Sequence, residues 1–190
     1  LDIFNYNDRC LIQGPAGTGK TIMAIEAARR KILAGKKVAL LCFNRGLGLK
    51  LKKSLEYLFE NKMERSFSGT FHTFMSDNTK LASPVSGDDK TDFYKETLPF
   101  EFLLQNEYIP EEEKYDLLIL DESQDLITPF YIEVFNSMLK GGLKDGSWVL
   151  FGDFSNQAIY LNNPIESIKL LNEISTFTNF PPLKINCRNT

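Results

Sequence analysis

Short apolar runs recur along the chain, and longer stretches of mixed polarity separate them. Two of these runs, Lys37–Phe43 and Tyr115–Asp121, are almost continuously apolar, as is typical of strands that are covered on both faces. The predicted strands, in chain order, are Arg9–Gln13, Lys37–Phe43, Ser66–Phe71, Tyr115–Asp121, Ser147–Asp153 and Leu183–Cys187.

The stretches between the apolar runs have the periodicity of amphipathic helices. In one stretch, four leucines are spaced by three or four residues and so share one helix face: Leu47, Leu51, Leu55 and Leu58. The predicted helices are Thr21–Ala34, Leu47–Phe59, Phe93–Gln105 with a break near Pro99, Pro129 to Gly141-Gly142, and Pro164–Ile174. Because strands and helices alternate, we predict an α/β fold with three layers, in which helices cover both faces of a parallel sheet.

One polar stretch interrupts the alternation. Ser76–Asp92 contains Pro84, Gly87 and an acidic pair, which predicts a loop inside an insert that extends over about 76–113. The remaining sequence has no internal repeat, and its length suits one core. We therefore predict one domain, residues 1–190, with a small helical insert.

Composition and charge narrow the class of protein. The chain is 43% hydrophobic and 25% charged, which is typical of a globular domain. It has one histidine and three cysteines that lie far apart, which argues against a zinc site. No apolar run is long enough for a membrane span, and the cysteine usage fits the cytoplasm. The net charge of −3 gives no global basic field, but an acidic body can still carry a local basic track.

The first candidate for chemistry is the stretch GPAGTGKT, which follows a predicted strand and precedes a predicted helix. Its pattern is that of a phosphate-binding loop, in which glycines let backbone N–H groups point toward phosphate oxygens. Lys20 is expected to reach the β- and γ-phosphates of ATP, and the Thr21 hydroxyl is expected to bind Mg²⁺. The predicted nucleotide-binding residues are Gly14, Pro15, Ala16, Gly17, Thr18, Gly19, Lys20 and Thr21.

The second candidate is LLILDESQD, which puts two acids at the end of a predicted buried strand. Open α/β sheets bind their ligands at the carboxyl ends of the strands. Asp121 is therefore a candidate to hold Mg²⁺, and Glu122 is a candidate general base for an attacking water. The alternative is an ordinary acidic turn, which the phosphate loop upstream makes the weaker interpretation.

With these motifs in order, the sequence resembles superfamily 1 helicases, most closely the UvrD/PcrA/Rep-like branch. The segments that carry the resemblance are GPAGTGKT, LLCFNRGLG, TFHTF, LILDESQD, FGDFSNQAIY and LKINCRNT. It implies a P-loop, RecA-like fold and the first motor domain of an ATP-driven translocase on single-stranded DNA. It also implies that a second RecA-like domain of the same protein would follow Thr190. The isolated chain is then expected to bind ATP and Mg²⁺ but to hydrolyse ATP poorly and not to unwind DNA.

The resemblance also assigns residues outside the two motifs. Gln157 and Arg188 match catalytic positions at the γ-phosphate. The implied DNA contacts are Phe43, Asn44, Arg45, His72 and Tyr160. For Phe43 and Tyr160, packing in the protein is the alternative to stacking on a base, and for His72 it is a structural hydrogen bond.

The sequence departs from the UvrD-like pattern at several positions. One extra residue separates Asp153 from Gln157, so the glutamine can sit differently. Cys187 replaces a tyrosine that stacks on adenine, and Ile22 replaces an arginine that often follows the loop, which puts adenine selectivity in doubt. Tyr160 begins a Tyr-Leu-Asn stretch that lacks the tryptophan of a base-stacking platform.

Two other functions remain open at this point. One is a non-motor NTPase switch with a helicase-like core, and the other is a small-molecule kinase that uses the same loop. The acidic strand end and the later glutamine segment argue against the kinase. Stimulation of ATP hydrolysis by single-stranded DNA separates the motor from the switch.

Overall fold

A computed structural model describes residues 6–58, 65–81, 92–154 and 164–186 of the chain. In these ranges, six strands form one sheet in which every pairing is parallel. The strands are β1 (Arg9–Gln13), β2 (Val38–Cys42), β3 (Phe67–Thr70), β4 (Leu117–Asp121), β5 (Trp148–Gly152) and β6 (Thr178–Phe180). Their order across the sheet is β3-β2-β4-β5-β1-β6.

Helices connect the strands. The α-helices in the described ranges are α1 (Lys20–Leu33), α2 (Arg45–Leu58), α3 (Phe71–Asp77), α4 (Leu98–Gln105), α5 (Pro129–Met138), α6 (Gly142–Asp145) and α7 (Pro164–Ile174). A π-helical turn, Phe93–Thr97, precedes α4, and a 3₁₀ turn, Ser123–Asp125, follows β4. None of the helices in the described part of the chain is long and apolar enough to cross a membrane.

The core lies on both faces of the sheet, because successive strand residues point to opposite sides. In β4, Leu118 and Leu120 pack into one buried cluster, with side chains of α3, α4 and α5. Leu117 and Ile119 pack into the other cluster, with side chains of α1 and α2. Each fully buried leucine contributes about 1.5–3 kcal/mol to folding. The predicted three-layer α/β fold is therefore confirmed.

The strand order brings distant parts of the sequence to one edge of the sheet. Gln13 pairs with Gly152 at the ends of β1 and β5, and Cys42 pairs with Asp121 at the ends of β2 and β4. The phosphate loop leaves β1 at this edge, where the acidic pair leaves β4. Parallel pairing thus sets the loop and the acids side by side.

The last predicted strand is wrong. In place of Leu183–Cys187, the structure has β6 at Thr178–Phe180, and 181–186 contains no strand. Pro181 and Pro182 explain the difference, because proline has no N–H to donate to a ladder. The N–H of Leu183 donates one isolated hydrogen bond to the Gln13 carbonyl, at 2.8 Å. The first five predicted strands are confirmed within two residues at each end.

Helix α3 was not predicted from the sequence. It begins after Thr70, whose hydroxyl accepts a hydrogen bond from the Thr73 N–H and so caps the helix. Phe71, Phe74 and Met75 are its buried residues, and their spacing was the available signal. The sequence predicts a strand up to Phe71 and a loop from Ser76, and the helix occupies the short stretch where the two meet.

Beyond α3, the helical part of the described insert is Phe93–Gln105, and residues 78–81 and 106–113 form turns and loops. The predicted break near Pro99 is a change from π- to α-helix, since the Leu98 N–H donates to the Phe93 carbonyl five residues back. Pro99 then stands in the first turn of α4, where its missing N–H costs least. Residues 82–91 of the predicted insert lie outside the described ranges.

Truncation of a sheet residue tests the buried core. Leu40 of β2 is fully buried, whereas Leu49 of α2 is 62% exposed. Leu40→Ala should lower the free energy of unfolding by about 2–5 kcal/mol, because it leaves a cavity. Leu49→Ala is the matched control and should change it by under about 0.5 kcal/mol. Urea unfolding of both variants measures the difference, and equal effects would contradict the assigned core.

Candidate nucleotide site

The phosphate loop is a compact turn between β1 and α1. It is held to the sheet by the Gly14 N–H, which donates to the Gly152 carbonyl at 3.1 Å. The Thr18 hydroxyl closes the turn by donating to the Pro15 carbonyl at 2.8 Å. Gly17 and Gly19 both have φ of 87°, in the left-handed region that favours glycine. The loop thereby leads into the N-terminus of α1, where backbone N–H groups and the helix dipole attract anions.

Lys20 lies inside this loop. Its side chain is buried, and its ammonium donates to the carbonyl oxygens of Gly14 at 2.6 Å and Pro15 at 3.1 Å. A buried ammonium held by backbone carbonyls puts a fixed positive charge at the centre of the turn. That charge suits a polyanion such as a triphosphate.

Asp121 faces the loop from the end of β4 and is fully buried. Its pKa is raised to about 6, chiefly by burial and also by the charge of Glu122, whereas the Thr21 hydroxyl, the Glu122 N–H and the Lys20 charge act in the opposite direction. Its Oδ1 accepts a hydrogen bond from the Glu122 N–H at 3.1 Å, and its Oδ2 is buried with no direct hydrogen-bond partner. The structure therefore brings Asp121 next to Lys20 and Thr21, from which it is separated by about a hundred residues in sequence.

This pair of oxygen donors fits a hard divalent cation. The Asp121 carboxylate, whose Oδ2 is buried without a direct hydrogen-bond partner, and the Thr21 hydroxyl that acts on its pKa are the kind of oxygen ligands that Mg²⁺ uses, with water and phosphate oxygens supplying the others. In the described part of the chain, no group of three or more histidine, cysteine or acidic residues is arranged to hold a metal. A cation here would thus depend on the nucleotide for most of its coordination.

Glu122 has a strained backbone. Its φ of 52° and ψ of 47° are left-handed, and in the described ranges no other non-glycine residue has positive φ. Such a conformation costs of order 1 kcal/mol and is found disproportionately at functional sites. Its carboxylate Oε2 accepts a hydrogen bond from Gln124 Nε2 at 2.9 Å.

Gln124 is a site residue that the sequence analysis missed. Its side chain is buried, and its Oε1 accepts a hydrogen bond from the Asp153 N–H at 3.1 Å while its Nε2 holds Glu122. A methyl group on Gly152 would lie 2.8 Å from that oxygen, so a glycine is required there. The amide thus joins the end of β4 to the end of β5. The only signal in the sequence was its place in DESQD, since spacing alone does not show a bridging side chain.

Asp125 adds a half-buried acid near Glu122. Partial burial, and to a smaller extent the charge of Glu122, raise its pKa to about 6. Its Oδ1 is buried without a hydrogen-bond partner. The end of β4 therefore concentrates acidic groups that a cation would stabilise.

The residues implied to contact DNA differ in exposure and in their contacts within the protein. Asn44 is exposed, and its Oδ1 accepts hydrogen bonds from the N–H groups of Gly46 and Leu47, so it caps α2. Arg45 is exposed at the start of that helix. Phe43 is half-buried and packs against the core, with its ring edge-to-face on His72 at 5.1 Å.

His72 belongs to an internal hydrogen-bond chain. Its Nε2 lies 2.9 Å from the Tyr131 hydroxyl, which itself donates to the Tyr94 carbonyl at 3.0 Å. Because a tyrosine hydroxyl has one proton to donate, His72 must be the donor to Tyr131 and carry its proton on Nε2. Burial, with a smaller effect of the Arg45 charge, lowers its pKa to about 4. His72 thus ties α3 to α5 and to the π-helical turn in its neutral form.

Three predicted residues lie outside the described ranges: Gln157, Tyr160 and Arg188. Cys187, the departure at the adenine position, lies outside them as well. Ile22, the other departure, is 69% exposed on the first turn of α1.

The sequence containing this site matches a known protein family. The family of the res subunit of type III restriction enzymes (ResIII) matches residues 2–140, a span that contains both the phosphate loop and the acidic pair. The chain belongs to the ResIII family. Its ResIII domain is a helicase-family domain, and this membership supports an ATP-binding role for the loop.

One solved structure similar to this ResIII chain is the helicase domain of Hef from Pyrococcus furiosus. The TM-score is 0.54 and the sequence identity 16%. The match covers 98% of this chain and 38% of that chain, so the ResIII chain spans well under half of the other structure. The likeness shows the fold, which is that of a helicase RecA-like domain. The chain has no match among curated proteins.

The half-buried His72 predicts a specific pH dependence of the free energy of unfolding. Its folded pKa of about 4 lies below the value of 6.5 for an unfolded histidine. Its contribution is therefore complete above pH 6.5 and is lost as the pH falls from 6.5 through 4. We expect His72 to remove about 2–3 kcal/mol of stability between pH 7 and pH 4.5.

His72→Gln isolates this effect, since glutamine retains an N–H donor but does not titrate. Urea unfolding at both pH values should show a larger loss in the wild type than in the variant. Asp121 and Asp125 titrate in the same range with the opposite sign, but they are present in both proteins and cancel in the difference. An identical pH dependence in the two proteins would contradict the assigned state of His72.

Proposed function

We propose that this chain is the ATP-binding motor domain of a helicase or translocase of superfamily 1, in the UvrD/PcrA/Rep-like branch. In this proposal it hydrolyses ATP with Mg²⁺ and moves along single-stranded DNA. Its location would be the cytoplasm. The observation that carries the proposal is the convergence of buried Lys20 with Thr21 and Asp121 at one edge of the sheet. The ResIII family and the helicase-type fold support the motor class.

The residues of the loop would hold the nucleotide. The backbone N–H groups of Ala16–Thr21 and the Lys20 ammonium would bind the phosphates, and Thr21 and Asp121 would hold the metal ion through oxygen. Mg²⁺ bound there would neutralise charge on the phosphate oxygens. Asp121 would be ionised in that state, because a neighbouring cation opposes the effect of burial on its pKa.

Glu122 would act as the general base. It takes a proton from the attacking water, and its orientation is set by the hydrogen bond from Gln124 and by its own fixed backbone. Because Gln124 also holds the Asp153 N–H, a change at the base is mechanically tied to the end of β5. Gln157 and Arg188 would complete the γ-phosphate contacts, as the resemblance implies.

Movement on nucleic acid would need two further partners. Single-stranded DNA would pass the exposed start of α2, where Arg45 can meet a phosphate and Phe43 presents part of its ring. Tyr160 is the other implied stacking residue. His72 packs edge-to-face against the Phe43 ring, and its own Nε2 is hydrogen-bonded to the Tyr131 hydroxyl. A second RecA-like domain would close over the nucleotide and couple hydrolysis to stepping.

The alternative function is a non-motor NTPase switch that keeps the helicase-like core. Two observations favour it: the side chains of Asn44 and His72, both implied DNA contacts, make hydrogen bonds inside the protein. Comparison of ATP hydrolysis with and without single-stranded DNA, made on a protein that carries both RecA-like domains, decides between the two, and stimulation by DNA supports the motor.

Removal of the loop ammonium tests nucleotide binding. Lys20→Ala should weaken the affinity for a non-hydrolysable ATP analogue with Mg²⁺ by about ten- to a hundredfold, because it deletes charge-assisted hydrogen bonds. Lys36→Ala is the matched control, since Lys36 is exposed beyond the far end of α1. Isothermal titration calorimetry measures both variants. Equal affinities in the two would remove Lys20 from the site.

Replacement of the base tests hydrolysis separately. Glu122→Gln should leave the affinity for the ATP analogue within about twofold but, in a protein that carries both RecA-like domains, slow single-turnover hydrolysis of ATP by roughly a hundredfold or more. The rate is measured with enzyme in excess over radiolabelled ATP, with and without single-stranded DNA. A variant that turns over at the wild-type rate would show that another group activates the water.

A further inference from the structure

The segment that follows β6 runs along the phosphate loop. Pro181 and Pro182 fix the backbone φ of two successive residues as the chain leaves β6. Leu183 then anchors the segment to the start of the loop: its N–H donates to the Gln13 carbonyl at 2.8 Å. A methyl group built on Gly14 would lie 2.9 Å from Leu183 Cβ and 3.2 Å from its carbonyl oxygen.

Three residues later, the same segment reaches the middle of the loop at Asn186. A methyl group on Gly17 would lie 2.6 Å from Asn186 Oδ1, 3.1 Å from Cγ and 3.2 Å from Nδ2. The carboxamide therefore rests against the bare α-carbon of Gly17. The φ of 87° requires a glycine at this position, and a larger side chain would also displace the Asn186 carboxamide.

We propose that Asn186 is a further nucleotide-contact residue, whose side-chain N–H donates a hydrogen bond to a phosphate oxygen of the nucleotide bound by the loop. This inference rests on the proposed ATP-binding function. Phosphate oxygens can only accept hydrogen bonds, and the loop supplies the donors, which are its backbone N–H groups and the Lys20 ammonium. A carboxamide packed on Gly17 adds a neutral donor from a distant segment, held in place at Leu183.

The contact also gives the post-β6 segment a role that differs from packing. Leu183 and Asn186 contact the loop at Gly14 and Gly17, so the segment forms one wall of the phosphate site. A triphosphate bound by the loop would fix the position of this segment through Asn186. The position of the chain after residue 186 would then depend on whether nucleotide is bound.

Two substitutions of Asn186 separate contact from packing. Asn186→Ala removes the donor and should weaken the affinity for a non-hydrolysable ATP analogue with Mg²⁺ by about tenfold. Asn186→Asp retains the shape but puts a negative charge beside the phosphates, so it should weaken the affinity more than alanine does. Asn179→Ala is the matched control, because Asn179 lies on β6 and accepts a hydrogen bond from Gln13 Nε2 instead of touching the loop. It should bind as the wild type does.

Calorimetric titration gives the affinities, and thermal unfolding without nucleotide checks that each variant is folded. Asn186→Ala with unchanged or tighter binding would overturn the inference, since the amide would then be neutral or obstructive. Asn186→Asp that binds no more weakly than Asn186→Ala would also overturn it, because a packing role is insensitive to charge. Absence of ATP binding in the wild type would overturn the proposed function as well, whereas normal wild-type binding with insensitive Asn186 variants overturns this inference alone.

Discussion

The site depends on one electrostatic constraint, the burial of an ammonium and a carboxylate at the same edge of the sheet. Lys20 is 5% exposed and Asp121 is fully buried. Removal of charged groups from water costs several kcal/mol per ion, and mutual attraction seldom restores all of it. Core stability alone therefore does not account for this arrangement. A bound polyanion and cation, as in the proposed function, would account for it, because each would compensate one of the two buried charges.

The rest of the fold can be understood as support for that edge. Parallel pairing sets the ends of β1, β4 and β5 side by side, and two apolar clusters fix the sheet from both faces. The Gln124 amide then ties β4 to β5, and the chain His72–Tyr131–Tyr94 ties α3 to α5 and the insert. A rigid surrounding of this kind is what lets Glu122 keep a left-handed backbone.

The sequence was informative where a local pattern determines structure. Nearly continuous apolar runs predicted the central strands, and GPAGTGKT predicted a glycine-rich loop between a strand and a helix. It failed at β6, because Thr178–Phe180 is short, polar and largely exposed and is defined only by its pairing with β1. It also missed Gln124 and the contact of Asn186 with Gly17, since both depend on which strand ends become neighbours. His72 illustrates the intermediate case: the residue was singled out from its motif, but its hydrogen bond to Tyr131 spans 59 positions.

The most direct test of the account is a crystal structure of the chain with a non-hydrolysable ATP analogue and Mn²⁺, with the metal located by its anomalous scattering. The account predicts one nucleotide, with the Lys20 ammonium within hydrogen-bonding distance of its β- or γ-phosphate. It also predicts the metal between Thr21 and Asp121, bound directly or through one water. A nucleotide bound elsewhere, or a metal out of reach of Asp121, would contradict it.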